Sequence, residues 1–178
     1  MYKIGMTLGM LFSMLNTSST VTAYDREQSV KAVYIYNFFN YVTWPNRQNS
    51  DHKPSAVLCI YGRDPFGDAL IYIKEKMTDQ LELQIKHIDE LDAIPSCHIL
   101  FVGSLTEKDT THFGENFNHP EVLTVSDVPG FADEIGIIEL KKNDRQLKLI
   151  INAQRLEDSG LKVSSKLMKI ATIRQRVK

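Results

Sequence analysis

Two short apolar runs constrain the fold most strongly, because each is long enough for a strand and has no polar face. They are AVLCIY at 56–61 and CHILFV at 97–102. Near-continuous apolar runs of this length are typical of strands buried on both faces, as in sheets covered by helices on either side. The chain is therefore predicted to build a central sheet between two helical layers.

Other segments alternate around these runs. Strands are predicted at 81–88 and 123–126, and a hairpin at 135–141 and 146–152. Helices are predicted at 25–41, 65–77, 106–117, 153–159 and 163–173. Asp25 and Asp64 are candidate N-caps, and Gly160 suits the end of a helix. The polar segment 46–54 is predicted to be a surface loop. This order predicts a single three-layer α/β domain, with a mixed, mostly parallel sheet flanked by helices and a C-terminal hairpin and helices.

The first 23 residues have the pattern of a secretory signal peptide. Lys3 is their only charge, residues 4–15 are rich in Met, Leu, Ile and Phe, and small residues precede position 24. We expect cleavage before Tyr24, which leaves a mature domain at 24–178. A retained anchor is the alternative, but the apolar segment is shorter than a membrane-spanning helix requires.

Export changes the interpretation of the two cysteines, Cys59 and Cys97, which are the only ones in the chain. An oxidising compartment favours an intrachain disulfide between them. Two buried free thiols or an intermolecular bridge are the alternatives at this point. The spacing excludes a CxxC redox centre.

Composition is ordinary for a globular protein, with 43% hydrophobic and 24% charged residues. The formal net charge of −1, or −2 after loss of Lys3, argues against a nucleic-acid partner, since no basic stripe stands out to neutralise phosphates. Lys162, Lys166 and Lys169 lie close together and are interpreted as a solvated helix face.

Motifs that carry chemistry are weak or incomplete. The loop GRDPFGD at 62–68 has phosphate-loop glycine spacing, but it lacks the Lys-Ser/Thr pair and its acids would repel phosphate. The five histidines show no metal-ligand spacing. Asp127 and Asp133, in the turn segment DVPGFADE, could be paired carboxylates, but no positioned partner is visible. We therefore predict no catalytic residue, no metal and no cofactor, and expect both acids to shape the loop or face a partner.

Five blocks in order resemble the YfiR family of periplasmic proteins. They are VKAVYIYNFFNYVTWP (30–45), LCIYGRDPFGDAL (58–70), CHILFVG (97–103), VLTVSDVPGFADEIGII (122–138) and INAQRLEDSGLKVSSKLMKIA (151–171). The resemblance covers nearly all of the mature chain. It implies a compact α/β fold and a periplasmic, non-enzymatic regulator, and it matches Cys59 and Cys97 to the family's structural disulfide.

The resemblance also implies partners. The chain is expected to repress an inner-membrane diguanylate cyclase through that enzyme's periplasmic part, so that it controls cyclic di-GMP and biofilm formation. An outer-membrane, peptidoglycan-binding lipoprotein would relieve the block, and the chain would form a homodimer. Trp44, Asp127, Phe131 and Asp133 are the predicted partner or ligand surface. The alternative is a small-ligand sensor subunit for a membrane histidine kinase, with Trp44, Tyr61 and Phe131 lining the pocket.

Overall fold

The computed structural model describes residues 23–45, 55–77, 81–104, 107–143 and 146–175. The predicted signal peptide, apart from Ala23, and the predicted loop at 46–54 lie outside these residues. The helices are α1 (Ala23–Tyr41), α2 (Ala69–Met77), α3 (Glu107–Asn116), α4 (Phe131–Glu134), α5 (Ala153–Ser159) and α6 (Ser165–Ile170), with a 3-10 helix at Leu91–Ser96. The strands are β1 (Val42–Thr43), β2 (Ser55–Tyr61), β3 (Glu82–Ile88), β4 (Ile99–Val102), β5 (Leu123–Ser126), β6 (Ile138–Asn143), β7 (Gln146–Asn152), β8 (Lys162–Val163) and β9 (Ala171–Arg174).

Seven strands form the central sheet, in the order β3-β2-β4-β5-β6-β7-β9. All neighbouring pairs are parallel except the β6–β7 hairpin. A separate two-stranded sheet pairs β1 with β8. The predicted mixed, mostly parallel α/β architecture is confirmed. The sheet reverses its winding between β2 and β4, because β2 leads to β3 on one side whereas β4 leads to β5 on the other.

Apolar side chains alternate between the two faces of the sheet, as the strand period requires. Leu58 and Ile60 of β2 face a core that includes Ile35 and Phe38 of α1. Their neighbour Cys59 faces a second core on the opposite side. That second core contains Phe113 of α3, Phe131 of α4 and Ile94 of the 3-10 helix. The sheet is therefore the middle of three layers.

The disulfide joins Cys59 in the middle of β2 to Cys97, which precedes β4, with Cα atoms 5.8 Å apart. Both side chains are buried in the second core. The described residues contain no free cysteine. The intrachain pairing is therefore the arrangement that the structure adopts, rather than free thiols or a bridge between chains.

The prediction of a helix at 163–173 is wrong at both ends. Val163 lies in β8, and α6 covers only Ser165–Ile170, where the Ser164 side chain accepts the backbone N–H of Leu167. The next four residues form β9, parallel to β7. Thr172 and Ile173 are β-branched and suit a strand, but only the neighbouring β7 makes that preference decisive.

Predicted caps and starts also shift. Helix α1 begins at Ala23, so Asp25 lies inside it. Helix α2 begins at Ala69, and Asp64 instead accepts the backbone N–H of Phe66, 2.7 Å away, in a local turn. Strand β6 begins at Ile138 rather than at 135, because the preceding residues close the short helix α4.

Candidate binding cleft at the carboxyl edge of the sheet

A cleft of about 420 Å³ opens at the carboxyl ends of β4 and β5, and a neighbouring depression of about 200 Å³ extends it toward β2 and α1. Ser104 and Asp127 line both. The carboxyl edge at the point where strand order reverses is the usual ligand site of open α/β sheets. The fold therefore places this cleft where such folds bind ligands.

The cleft has an apolar wall and a polar end. The apolar residues are Val102, Phe113, Val128, Pro129, Phe131 and Ile135. Arg63, which follows β2, and Ser104, which follows β4, are exposed at the polar end. Its size falls within the range of about 300–1,000 Å³ that is usual for small-molecule sites. The arrangement suits binding of a small amphipathic group.

Close backbone packing sets the positions of Arg63 and Ser104. The backbone N–H of Gly103 donates to the carbonyl oxygen of Tyr61, 2.8 Å away. A Cβ on Gly103 would lie 1.9 Å from the carbonyl oxygen of Arg63. Only glycine therefore allows the two loops to approach this closely.

Buried polar side chains hold the loop that forms the far wall, residues 127–137. Ser126 Oγ donates to the carbonyl of Val102 at 2.6 Å and accepts the N–H of Val128 at 3.0 Å. Thr124 Oγ1 accepts the N–H of Ile137 at 2.9 Å. Such satisfied buried contacts make a loop rigid and specific in position. The wall is therefore preformed.

Glu139 is the most unusual of these supports, because it is an acidic side chain buried near the start of a strand. Its Oε2 accepts the backbone N–H groups of Gly130 at 3.1 Å and of Ala132 at 3.4 Å. Gly130 has a φ of 84°, which favours glycine. Asn152 completes the support by donating to the carbonyl of Ala132 at 2.6 Å. The side chains of Glu139 and Asn152 thus hold the start of α4 in position.

Phe131 faces inward at this start. Its ring is 4% exposed and belongs to the second core, and one side lines the cleft. A Cβ on Gly136 would lie 1.8 Å from Cε1 of Phe131. The ring therefore packs directly on the glycine backbone, and its main role in this structure is to hold the loop.

An ion-pair chain links α1 to the cleft. Lys31 Nζ lies 2.6 Å from Asp127 Oδ2 and 2.8 Å from Glu27 Oε1, and Glu27 also pairs with Lys142 of β6. Hydrogen bonds from Lys142 and Lys31 lower the pKa of Glu27 below its usual value. Burial alone would lower the pKa of Lys31, but its bonds to Asp127 and Glu27 outweigh burial and raise it. Glu27 and Lys31 therefore both stay charged near neutral pH.

The structure separates the predicted surface residues. Asp127 and Phe131 line the cleft, whereas Asp133 is exposed beside Arg174, 3.5 Å away. Trp44 lies at the opposite, amino edge of the sheet, where its Nε1–H donates to the carbonyl of His98 at 3.1 Å. Tyr61 is buried against Phe113, with ring centroids 5.9 Å apart. Trp44, Tyr61 and Phe131 do not line one pocket.

Several site residues were not predicted, namely Lys31, Arg63, Ser104 and Glu139. Two carried a usable signal. Lys31 falls on the buried face of α1 with Ile35 and Phe38, and Glu139 interrupts an apolar strand. A single charge in such a pattern indicates a buried partner. Arg63 and Ser104 had no recognisable sequence signal, because only the order of strands in the sheet brings their loops together.

The described residues hold no group of three or more side chains that could bind a metal ion. No described histidine lines the cleft, so Ser104 has no neighbouring imidazole there. Among the described residues, no helix is both long and apolar enough to cross a membrane.

Comparison with known proteins agrees with this picture. No curated protein matches the chain significantly. A family model described as YfiR/HmsC-like matches residues 28–172, from within α1 to within β9. That family comprises periplasmic regulatory proteins of the diguanylate cyclase pathway rather than catalysts. The chain belongs to the YfiR/HmsC-like family.

Proposed function

We propose that this protein acts in the periplasm as a repressor of an inner-membrane diguanylate cyclase, through contacts with the periplasmic part of that enzyme. Export by the signal peptide at 1–23 and cleavage before Tyr24 would deliver it there. Repression would lower cyclic di-GMP and biofilm formation. An outer-membrane, peptidoglycan-binding lipoprotein would sequester the protein and relieve repression, and the active form would be a homodimer.

Family membership over residues 28–172 is the observation that carries this proposal. The charges of the cleft support it, because Glu27 and Asp127 are both paired with Lys31, and Glu27 also pairs with Lys142. A preformed site whose charged side chains are paired with one another suits a protein that acts by binding a partner. Asp133 is exposed on α4, within the loop that forms the cleft wall, and can contact a partner protein.

Deletion and capture test the proposal together. Cyclic di-GMP is expected to rise in cells that lack the protein and to return to its former level on complementation. Affinity capture of the mature protein from envelope membranes is expected to recover a diguanylate cyclase. An unchanged nucleotide level, with neither a cyclase nor another membrane signalling enzyme recovered, would contradict the proposal.

A second candidate function is ligand sensing for a membrane histidine kinase, and the cleft favours it. Its apolar wall and its exposed Arg63 and Ser104 suit a small amphipathic molecule. A ligand at a hundred times its dissociation constant stabilises the folded state by about 2.7 kcal/mol. Thermal-shift screening of periplasmic metabolites therefore tests this function.

Val128→Trp is the matched test variant, because it fills the cleft. Val33→Trp, on the exposed face of α1, is its control. A stabilising compound whose effect disappears only in Val128→Trp supports ligand sensing. A compound that stabilises both variants equally binds elsewhere.

A further inference from the structure

Strand β9 forms one edge of the seven-stranded sheet. It pairs with β7 from Leu149↔Ala171 to Asn152↔Arg174, and none of the described residues forms a strand on its other side. Residues 172–175 are exposed. An edge strand presents a row of unpaired backbone N–H and C=O groups, which is a template for a further strand.

A row of apolar side chains crosses the sheet from strand to strand, and its last member lies exposed at the β9 edge. Paired residues on neighbouring strands form the row, which consists of Ile60, Phe101, Val125, Ile138, Ile151 and Ile173. At the β3 end, Ile60 pairs with His87, a polar residue bound to Asp64. At the β9 end the row stops at Ile173, which is 38% exposed. An added strand would continue the row.

The two edges of the sheet are protected to different degrees. Strand β3 carries exposed Glu82, Lys86 and His87, and charges on an edge strand discourage pairing with other chains. Strand β9 carries one charge, Arg174, at its last residue. Ile170, which directly precedes β9, is 64% exposed. The β9 edge is therefore the more receptive of the two.

Basic residues are concentrated in the segment of the sequence that carries β9. Lys162, Lys166 and Lys169 are exposed and make no ion pair with any described residue. The sequence from 159 to 178 has six basic residues and no acidic one, although the whole chain has a net charge of −1. This charge favours an acidic occupant. A second copy would bring like charges together, which opposes pairing.

We propose that β9 is a docking edge for an extended, acidic segment of a partner protein, which adds to the sheet as a further strand. The inference rests on the proposed function, since it names the surface through which the regulator meets its partner. Backbone hydrogen bonds would give affinity, Ile173 would receive an apolar side chain, and the lysines would select acidic residues. Lipid headgroups do not match the regular spacing of a strand's backbone groups.

A synthetic peptide in which isoleucine and glutamate alternate is the probe for this edge. With ¹⁵N-labelled mature protein, we expect the backbone amides of β9 to shift, and the alternate amides that point away from β7 to gain protection from exchange. Binding measured by fluorescence anisotropy should weaken as salt increases. A peptide with a central proline should not bind, because proline interrupts the backbone pairing.

Charge reversal tests the site within the protein. The double variant Lys169→Glu/Arg174→Glu should weaken peptide binding at least about tenfold, since it places like charges opposite one another. Lys86→Glu, on the opposite edge strand, should leave binding within about twofold. All three substitution sites are exposed, and circular dichroism would confirm that the variants fold.

Three results would overturn the docking edge. They are no binding of the alternating peptide, equal weakening by Lys86→Glu, and binding of phosphatidylglycerol vesicles in place of the peptide. Capture from membranes separates this inference from the proposed function. Equal recovery of the cyclase by the wild type and the double variant refutes only the edge. Failure of the wild type to recover any signalling enzyme refutes the proposed function.

Discussion

Lys31 and Asp127 are 96 residues apart in the chain, yet their side chains meet at 2.6 Å. This contact joins the first helix to the loop that walls the cleft. Lys31 is 7% exposed and Asp127 is 18% exposed, so water screens the pair only partly. The contact therefore connects the stability of the fold to the shape of its candidate site.

Replacing Lys31 by methionine should destabilise the protein by about 2–4 kcal/mol, because it leaves Asp127 and Glu27 as unpaired, partly buried carboxylates. Lys142→Met is the control. Its side chain is 65% exposed, and its loss should cost less than about 1 kcal/mol. Urea unfolding of both variants measures the difference. Equal effects would mean that the Lys31 pair contributes no more than a surface contact.

The same ion pairs predict two pH limits. The pKa of Glu27 is lowered in the folded state, so its contribution to stability is present above its usual value of 4.5 and disappears as pH falls through the lower, folded value. The pKa of Lys31 is raised, so its contribution is present below 10.5 and disappears as pH rises through the higher, folded value. Stability should therefore fall at both extremes.

Urea midpoints across the pH range measure these limits. Glu27→Gln should reduce the loss in acid, and Lys31→Met should reduce the loss in alkali. An acid limb unchanged by Glu27→Gln would assign acid unfolding to other carboxylates.

The Cys59–Cys97 disulfide closes a loop with a sequence separation of 38 residues. The chain-entropy model makes its contribution about 4 kcal/mol. The double variant Cys59→Ala/Cys97→Ala should lose approximately that much unfolding free energy, and reduced wild type should behave similarly. Thiol titration of oxidised, denatured protein should detect no free cysteine. Detection of two thiols would contradict the bridge.

Glu139 provides a local test of the cleft wall. Glu139→Leu leaves the N–H groups of Gly130 and Ala132 without their acceptor, at a cost of about 1–3 kcal/mol for each buried group. Glu139→Gln keeps one acceptor oxygen and should cost less. Hydrogen exchange should show faster opening at Gly130 and Ala132 in the leucine variant. Unchanged exchange there would show that other contacts hold the loop.

Two glycines should respond to alanine with opposite signs. Gly103→Ala places a Cβ against the carbonyl of Arg63, so the β2 and β4 loops must separate, and we expect a loss of more than about 2 kcal/mol. Gly114→Ala lies in α3, where the nearest described atom, Ile135 Cδ1, is 4.0 Å away. There alanine should stabilise by up to about 1 kcal/mol. Thermal unfolding of the two variants checks both.

Predictions from sequence were most accurate where neighbouring residues alone decide the structure. Strand β7 and helix α5 have the predicted bounds, because alternation and the αL glycine at Gly160 are local signals. Predictions failed where a distant element decides. Residues 171–173 continue a helical pattern, but pairing with β7 makes them a strand. Asp64 precedes a proline and resembled a cap, yet it serves a turn and bonds to His87 of β3.

In the candidate site, too, the residues that are contiguous in sequence were predicted, and those that come from distant elements were not. The segment that carries Asp127 and Phe131 was recognisable, because its turn residues and flanking apolar runs are contiguous in sequence. Its partners Lys31, Arg63 and Ser104 come from three separate elements, and sheet order alone brings them to one edge. Trp44 was assigned to the same surface, but α1 runs from the carboxyl edge to the amino edge and carries it to the far side.

The sequence by itself determined the class of the fold, the family and the availability of the two cysteines, because buried runs, turn residues and composition act over short distances. Tertiary structure decided which buried charge meets which, that the bridge lies within one chain, and that β9 is left open at an edge. Those outcomes depend on the order of strands in the sheet. That order is set by the packing of the whole chain and leaves no periodic mark on any one segment.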